Sequence, residues 1–302
     1  MRRKNKINLV SIAVFIIILI LFYIFSPEFR STLANYGIFG QSDDSSFAAV
    51  TETGALMHVI DVGQGDSILL QSGEYNILVD AGPNSAEDEL ISYLNSAGVD
   101  RLDCLVLTHP HEDHIGGADL VIDTFDIDTV LMPDCTATTK AFENVLDAME
   151  EKGLGVTVPE RGDNFSLGKL DFTVLAPAGN DYDETNDFSI VLKVEYENTS
   201  FMLTGDAETL SEQEILDKFD SDFLKCDVLK AGHHGSSTSS CEDFVLAVAP
   251  RYAAVSCALD NNYGHPHKET RTLFDELGIE WYRTDYDGNI VFVSDGENVG
   301  VK

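Results

Sequence analysis

The stretch Thr108-His109-Pro110-His111-Glu112-Asp113-His114-Ile115-Gly116-Gly117 puts three imidazoles and the Asp113 carboxylate, with Glu112 beside it, within six residues, at the end of the apolar run Leu102–Thr108. Core packing has no use for such a cluster, whereas imidazole nitrogen and carboxylate oxygen suit zinc or a similar divalent ion. Read as a non-helical loop, the stretch lets neighbouring residues face different ions, with His109 and His111 on one metal and Asp113 and His114 on a second. A polar surface loop or a salt-bridged turn is the plain alternative.

Working outward, further strand ends carry matching chemistry. Phe201–Thr204 runs into Gly205-Asp206, a carboxylate placed to bridge two cations. Val228–Lys230 runs into Gly232-His233-His234-Gly235-Ser236, where one imidazole of the pair should ligate and the other face substrate. Tyr263-Gly264-His265-Pro266-His267 offers one more imidazole, and a surface loop explains it as readily. The Gly-rich segment Asp61-Val62-Gly63-Gln64-Gly65-Asp66-Ser67 suits either phosphate approach through backbone N–H groups or a tight hairpin turn. Ser67 and Ser236 read as turn-capping residues rather than nucleophiles.

The elements between these loops alternate. Leu56–Asp61, Ser67–Gln71 and Tyr75–Asp80 read as a strand meander. Helices are predicted at Glu87–Ala97, Thr138–Lys152, Glu208–Phe219, Glu242–Val248 and Lys268–Leu277. Strands are predicted at Leu102–Thr108, Thr129–Met132, Leu170–Leu175, Phe188–Val194, Ser200–Thr204, Val228–Lys230, Tyr252–Ser256, Trp281–Arg283 and Ile290–Val293. The second half resembles the first, and the pattern fits an α/β (α+β) domain of two mixed sheets packed face to face with helices outside.

The N-terminus is of another kind. Met1–Lys6 is basic, and Ile7–Phe25 is apolar except for Asn8 and Ser11. At about 1.5 Å per residue this run nearly spans a hydrocarbon layer of about 30 Å. It reads as one transmembrane anchor with the basic end in the cytoplasm and the rest of the chain outside; a cleaved signal peptide is the competing reading. Residues 26–54 read as a flexible stalk, and 55–302 as the folded domain. Of the 302 residues, the first fifty hold five Lys/Arg and three Asp/Glu; the remainder holds 14 against 49, a charge of −35. Such a surface disfavours a non-specific electrostatic grip on duplex DNA. The five cysteines, none in a C-x-x-C, form neither a disulfide framework nor a zinc ribbon.

The motifs, in order, resemble the metallo-β-lactamase superfamily, and within it the extracellular nuclease-like domain of ComEC-type competence proteins. The residues carrying the resemblance are Asp61–Ser67, Leu78-Val79-Asp80-Ala81-Gly82, His109–Gly117, Asn186–Ser189, Thr204–Glu208, Gly232–Ser236 and Gly264–Pro266. It implies an αββα sandwich, here preceded by one N-terminal transmembrane helix. It also implies two divalent cations, zinc or manganese: His109, His111 and Asp206 on the first; Asp113, His114, Asp206 and His234 on the second. Asp80 would support a ligand histidine, Asp113 would take part in catalysis, and His233 and His265 would contact or protonate the scissile group. Asp61, Asp66, Asn186, Ser189 and Ser236 would support the ligands or touch substrate. No histidine lies between His114 and His233, so a ligand of many zinc members is missing, and Asn186 occupies roughly that region. The implied function is a membrane-anchored extracellular phosphodiesterase or nuclease using a metal-activated water. Its substrate would be a nucleic acid or cell-wall phosphodiester held mainly by the metals, with no obvious protein partner. The alternatives are a phosphorylcholine esterase, a lactamase-like ester or amide hydrolase, and a surface-tethered binding protein with a degenerate site.

Overall fold

The structure, a computed structural model, describes residues 54–302. The predicted span 7–25, the basic run 1–6 and, but for Gly54, the stalk lie outside the described residues. Among those described, no helix is long and apolar enough to cross a membrane.

Among the described residues, seventeen strands form two large sheets and one small one. The first sheet takes β1 (Ala55–Val59), β2 (Ile68–Ser72), β3 (Tyr75–Val79), β5 (Cys104–Val106), β7 (Val130–Leu131), β8 (Val156–Thr157), β16 (Ile290–Ser294) and β17 (Val299–Val301). The second takes β9 (Asn164–Leu167), β10 (Leu170–Ala176), β11 (Val191–Tyr196), β12 (Thr199–Leu203), β13 (Val228–Lys230), β14 (Tyr252–Val255) and β15 (Glu280–Arg283). β4 (Arg101–Leu102) and β6 (Asp126–Ile127) pair with each other. The orders are β17-β16-β1-β2-β3-β5-β7-β8 and β15-β14-β13-β12-β11-β10-β9. Each large sheet is antiparallel on one side and parallel on the other.

Side-chain alternation explains the layering. Met57, Leu70, Ile77 and Val106 face Phe172, Leu192, Phe201 and Ala254 between the sheets. One residue along, Leu69, Leu78 and Leu105 point to the opposite face, against Leu90, Leu94 and Val145 of helices. Met202, Leu229 and Ala253 likewise meet Ile215, Phe244 and Phe274 on the far side of the second sheet. Both faces of each sheet are covered, which is why the strands read as continuous apolar runs. Burying each of the larger of these side chains, such as Leu70, Phe172 or Met202, is worth about 1.5–3 kcal/mol.

This arrangement positions the loops. β3 and β5 run parallel and end in register at Val79 and Val106. β12, β13 and β14 also run parallel. The carboxyl ends of parallel strands therefore deliver Asp80, the His109–His114 stretch, Asp206 and the His233–His234 pair to one edge of the sandwich, the usual place for a ligand cleft in such sheets.

Three expectations need correction. The histidine stretch is not wholly a loop: Glu112–Ile115 forms a helical turn with His111 as its N-cap, its carboxyl end continuing into glycines packed too closely for a side chain. The run Leu102–Thr108 breaks at Asp103, whose carboxylate accepts the Asn76 N–H at 2.9 Å, so it splits into β4 and β5. Thr185–Phe188 is a 3₁₀ turn, and the strand after it starts at Val191.

Candidate metal centre

The site is built from side chains whose outer nitrogens are tied down. His114 Nδ1 lies 2.7 Å from Asp80 Oδ2, and Asp80 also accepts the Thr108 N–H at 2.8 Å and the Thr108 hydroxyl at 2.7 Å. With its hydroxyl hydrogen given to Asp80, Thr108 Oγ1 accepts from His109 Nδ1 at 3.1 Å. His234 Nδ1 donates to the Ser256 carbonyl at 3.1 Å and lies 3.5 Å from Asp66 Oδ1. In each case the Nδ1 contact fixes ring orientation and tautomer and leaves Nε2 facing inward, as supports of metal-ligating histidines do.

The inward atoms converge. His114 Nε2 is 3.2 Å from Asp206 Oδ1; His234 Nε2 is 3.5 Å from Asp206 Oδ2 and 3.3 Å from Asp113 Oδ2. His109 Nε2 and His111 Nδ1 are 3.0 Å apart. Donor atoms about 2.0–2.1 Å from a tetrahedral cation sit about 3.3–3.4 Å from one another, so this spacing is that of a coordination shell. His114 Nε2, His234 Nε2 and Asp206 Oδ1 are buried with no hydrogen-bond partner, atoms that a buried site would not leave unpaired without a ligand to take them. Asp66, His114, Asp206 and His234 can each offer one donor atom with all four within 4.8 Å. The residues therefore fit a divalent cation, and the His111 and Asp113 side chains extend the donor set toward a second.

Electrostatics points the same way. Burial opposes charge on His114, but the Asp206 and Asp80 carboxylates outweigh it and hold the imidazole well above its usual pKa. Burial likewise opposes charge on His234, yet Asp206, Asp113 and Asp66 raise it to about 9. Asp206, despite its burial, is held well below the usual carboxylate range by His114 and His234. His109 is pushed down by burial first, then by His114. These carboxylates call for positive charge at one point, which a divalent cation supplies as well as protons do.

Each expected residue can now be placed. His109, His111, Asp113, His114, Asp206 and His234 come together, with Asp80 behind His114. Ser189 is buried: its Oγ accepts the Asp206 N–H at 3.1 Å and lies 3.3 Å from His109 Nδ1. His233 is on the cleft wall, a quarter exposed, with Nε2 3.6 Å from Asp206 Oδ2. Asn186 Nδ2 lies 3.4 Å from His233 Nδ1. His265 lines the same cleft of about 520 Å³, and burial first, then His234, lowers its pKa to about 4. Ser236 Oγ accepts the Thr238 N–H at 3.3 Å and so closes its own turn. Asp61 stays outside the cluster: it is exposed, and its Oδ1 accepts the Gly63 N–H at 3.2 Å.

His233 and His234 both have left-handed backbone, with φ of 47° and 54°. That conformation costs a non-glycine residue about 1–2 kcal/mol, and here it turns the two rings apart, one into the buried donor set and one into the cleft.

Three residues escaped the sequence reading. Lys230, fully buried, places Nζ 2.7 Å from Asp66 Oδ2, so Asp66 behind His234 mirrors Asp80 behind His114. Glu208 Oε1 sits 3.1 Å from His233 Nδ1 and accepts from Asn186 Nδ2 at 3.1 Å and Thr238 Oγ1 at 2.9 Å. Gln64 Nε2 lies 3.5 Å from His265 Nδ1. A lysine closing a buried strand just before a histidine pair was the available signal for the first, and a carboxylate two residues past Asp206 for the second.

The fold and the donor set define a class. The metallo-beta-lactamase superfamily model matches residues 60–258, and the chain belongs to that superfamily of metal-dependent hydrolases. Among its relatives is ComE operon protein 3 of Bacillus subtilis (strain 168), 34% identical over 252 residues that cover 78% of this chain and 32% of that one. Competence protein ComA of Neisseria gonorrhoeae is 32% identical over 247 residues, covering 81% and 33%. The resemblance to competence proteins is thereby shown, and the chain spans about a third of the length of these relatives. In fold it is similar to the metallo-beta-lactamase fold protein YhfI from Bacillus subtilis, with TM-score 0.54 and 17% identity over 80% of this chain and all of that one.

Proposed function

We propose that the chain is a metal-dependent phosphodiesterase. His109, His111 and Asp206 would hold one divalent cation, and Asp113, His114, Asp206 and His234 the other. The carrying observation is the convergence of buried His114, His234 and Asp206 donor atoms at coordination spacing, with Asp206 and His234 lining an open cleft. When bound, such a pair supplies Lewis acidity, lowering the pKa of water toward neutrality and offsetting charge on a phosphoryl oxygen.

The remaining work belongs to the chain's own groups. Asp80 and Asp66 fix the rings of His114 and His234. Glu208 holds His233 Nδ1, which turns His233 Nε2 toward the cleft, where it can donate to a leaving oxygen. His265, on the same wall, offers a second ring for that purpose. The residues lining the cleft include no serine or cysteine, which supports attack by water rather than by a side chain. The donors are nitrogen and oxygen with no thiolate, a set that accepts manganese as well as zinc. The absence of a histidine between His114 and His233 separates the site from the usual zinc lactamase pattern and favours a phosphodiester over an amide. The sequence of residues 1–25 supports attachment to a membrane with the hydrolase on the outer side.

The test is turnover of bis-p-nitrophenyl phosphate by the whole chain with added zinc or manganese. His111→Ala and Asp206→Ala should each abolish it; retention of activity in Asp206→Ala would sink the reading.

A further inference from the structure

The cleft above the donor set is lined by several carboxylates. Its lining includes Glu112, Asp113 and Asp206 but no lysine or arginine, so no permanently cationic side chain there meets phosphates flanking the scissile one. Affinity for a substrate longer than its phosphate has to come from something other than an ionic grip. One feature of the rim supplies it. Tyr263 is 66% exposed although it is aromatic, and it lines the cleft beside His265. The two rings lie nearly parallel, 21° apart with centroids at 5.5 Å, so His265 backs one part of the Tyr263 ring and leaves a face open.

The ring is mounted firmly. Asn261 Oδ1 accepts the N–H groups of Tyr263 at 3.1 Å and His265 at 3.0 Å, while its Nδ2 donates to the carbonyls of Ala258 at 2.9 Å and His265 at 2.7 Å. His267 Nε2 donates to the Tyr263 carbonyl at 3.0 Å. An exposed aromatic on a backbone pinned at this many points is preorganised for contact with a flat partner at little entropic cost.

Resting on the phosphodiesterase reading, we propose that Tyr263 is a stacking platform for a nucleobase beside the scissile phosphate. A base next to the scissile phosphate has the flat π-face this ring can take, and stacking is indifferent to the acidic surroundings. A quaternary ammonium calls for rings on several sides, whereas here one ring is open and its neighbour lies parallel to it. Duplex DNA is disfavoured because its bases are already stacked on one another.

The experiment compares three p-nitrophenyl esters with one leaving group: thymidine 5′-(p-nitrophenyl phosphate), methyl p-nitrophenyl phosphate and p-nitrophenylphosphorylcholine. The whole chain, loaded with zinc or manganese, is used as wild type, Tyr263→Ala and Tyr263→Phe. The proposal expects Tyr263→Ala to raise KM for the thymidine ester about 5- to 100-fold with kcat unchanged, and to leave the other two esters within about twofold. Tyr263→Phe should behave as wild type, since the ring face is retained. An unchanged thymidine KM, an equal rise for all three esters, or a rise for the choline ester alone would overturn it. A second arm measures binding of a labelled five-residue oligothymidylate and its abasic counterpart by fluorescence anisotropy. Tighter binding of the base-bearing strand by wild type but not by Tyr263→Ala upholds the platform even if no ester turns over, in which case the phosphodiesterase reading alone falls. Equal binding of both strands by wild type overturns the platform. With one phosphate at the centre, oligothymidylate affinity should fall only about threefold between 50 and 200 mM salt; a fall of about a hundredfold would mean an ionic grip and would also overturn it.

Discussion

Replacing Lys230 by methionine isolates the ion pair beneath the centre. The side chain is fully buried, its Nζ lies 2.7 Å from Asp66 Oδ2, and it also donates to the Ala231 carbonyl at 2.8 Å. Methionine keeps most of the stem's volume and removes the charge. Asp66, which burial alone would push toward the neutral form and which Lys230 first, then His234, hold well below the usual carboxylate range, is then left without its main partner. Removing one member of a buried pair costs about 3–5 kcal/mol, because the other charge stays buried and unmatched. At about 2–4 °C per kcal/mol for a domain of this size, Tm should fall by about 6–20 °C. The double variant Lys230→Met/Asp66→Asn removes both charges and should recover at least about 2 kcal/mol of the summed single losses. Denaturant titration of wild type, both single variants and the double variant measures that coupling. Additive losses, with a coupling energy below about 0.5 kcal/mol, would mean that Lys230 and Asp66 do not form an interacting pair, since distant independent sites behave that way.

Other consequences follow from individual contacts. Asp80→Asn removes the carboxylate charge that faces His114 Nδ1 and should weaken metal binding about 10- to 100-fold in competition with a chelating dye; unchanged affinity would deny Asp80 its supporting role. Gly65→Ala would bring a Cβ within 2.3 Å of the Asp113 carbonyl oxygen and 2.9 Å of Pro83, displacing the turn that carries Asp113. It should lower bound metal as read by elemental analysis, and full metal content in this variant would contradict the packing argument. Glu212, buried and accepting the N–H groups of Ser240 at 2.6 Å and Cys241 at 2.8 Å, has its pKa raised by burial from 4.5 to about 7. Between those values the folded state binds more protons than the unfolded one, so this group's contribution makes stability fall as pH rises from 4.5 to 7 and then level off, by at most about 1.4 kcal/mol per pH unit. Glu212→Gln should remove that slope in denaturation series across the window, and an unaltered slope would assign it to other groups.

Much of the sandwich was legible because both faces of its strands are apolar, and Val228–Lys230, Glu242–Val248 and Lys268–Leu277 fall where periodicity and turn residues set them. Two-residue β8, with both side chains exposed, and the half-exposed edge strand β9 carry no such signal. The helix Ala118–Thr124 was also missed, its seven residues being too few to display a period. At the site, the histidine stretch announced itself because imidazoles and carboxylates crowd a strand end. The supports were harder to read. Asp66 sits in a Gly-rich turn that local chemistry explains as a hairpin, and its partner Lys230 lies 164 positions away at the end of a buried strand. Tyr263 and its loop likewise gain meaning only when the fold brings them over Asp206 and His234. Pairings across the two halves of the chain depend on sheet packing, which local pattern does not specify.

If His109, His111, Asp113, His114, Asp206 and His234 form one centre for two divalent cations, elemental analysis of the purified whole chain beside its Asp206→Ala variant will show it. Close to two equivalents of zinc or manganese are expected in the wild type, and loss from both positions in the variant, because the proposed centre shares Asp206. Metal well below one equivalent after loading with either ion, or a variant that keeps its full complement, would exclude such a centre.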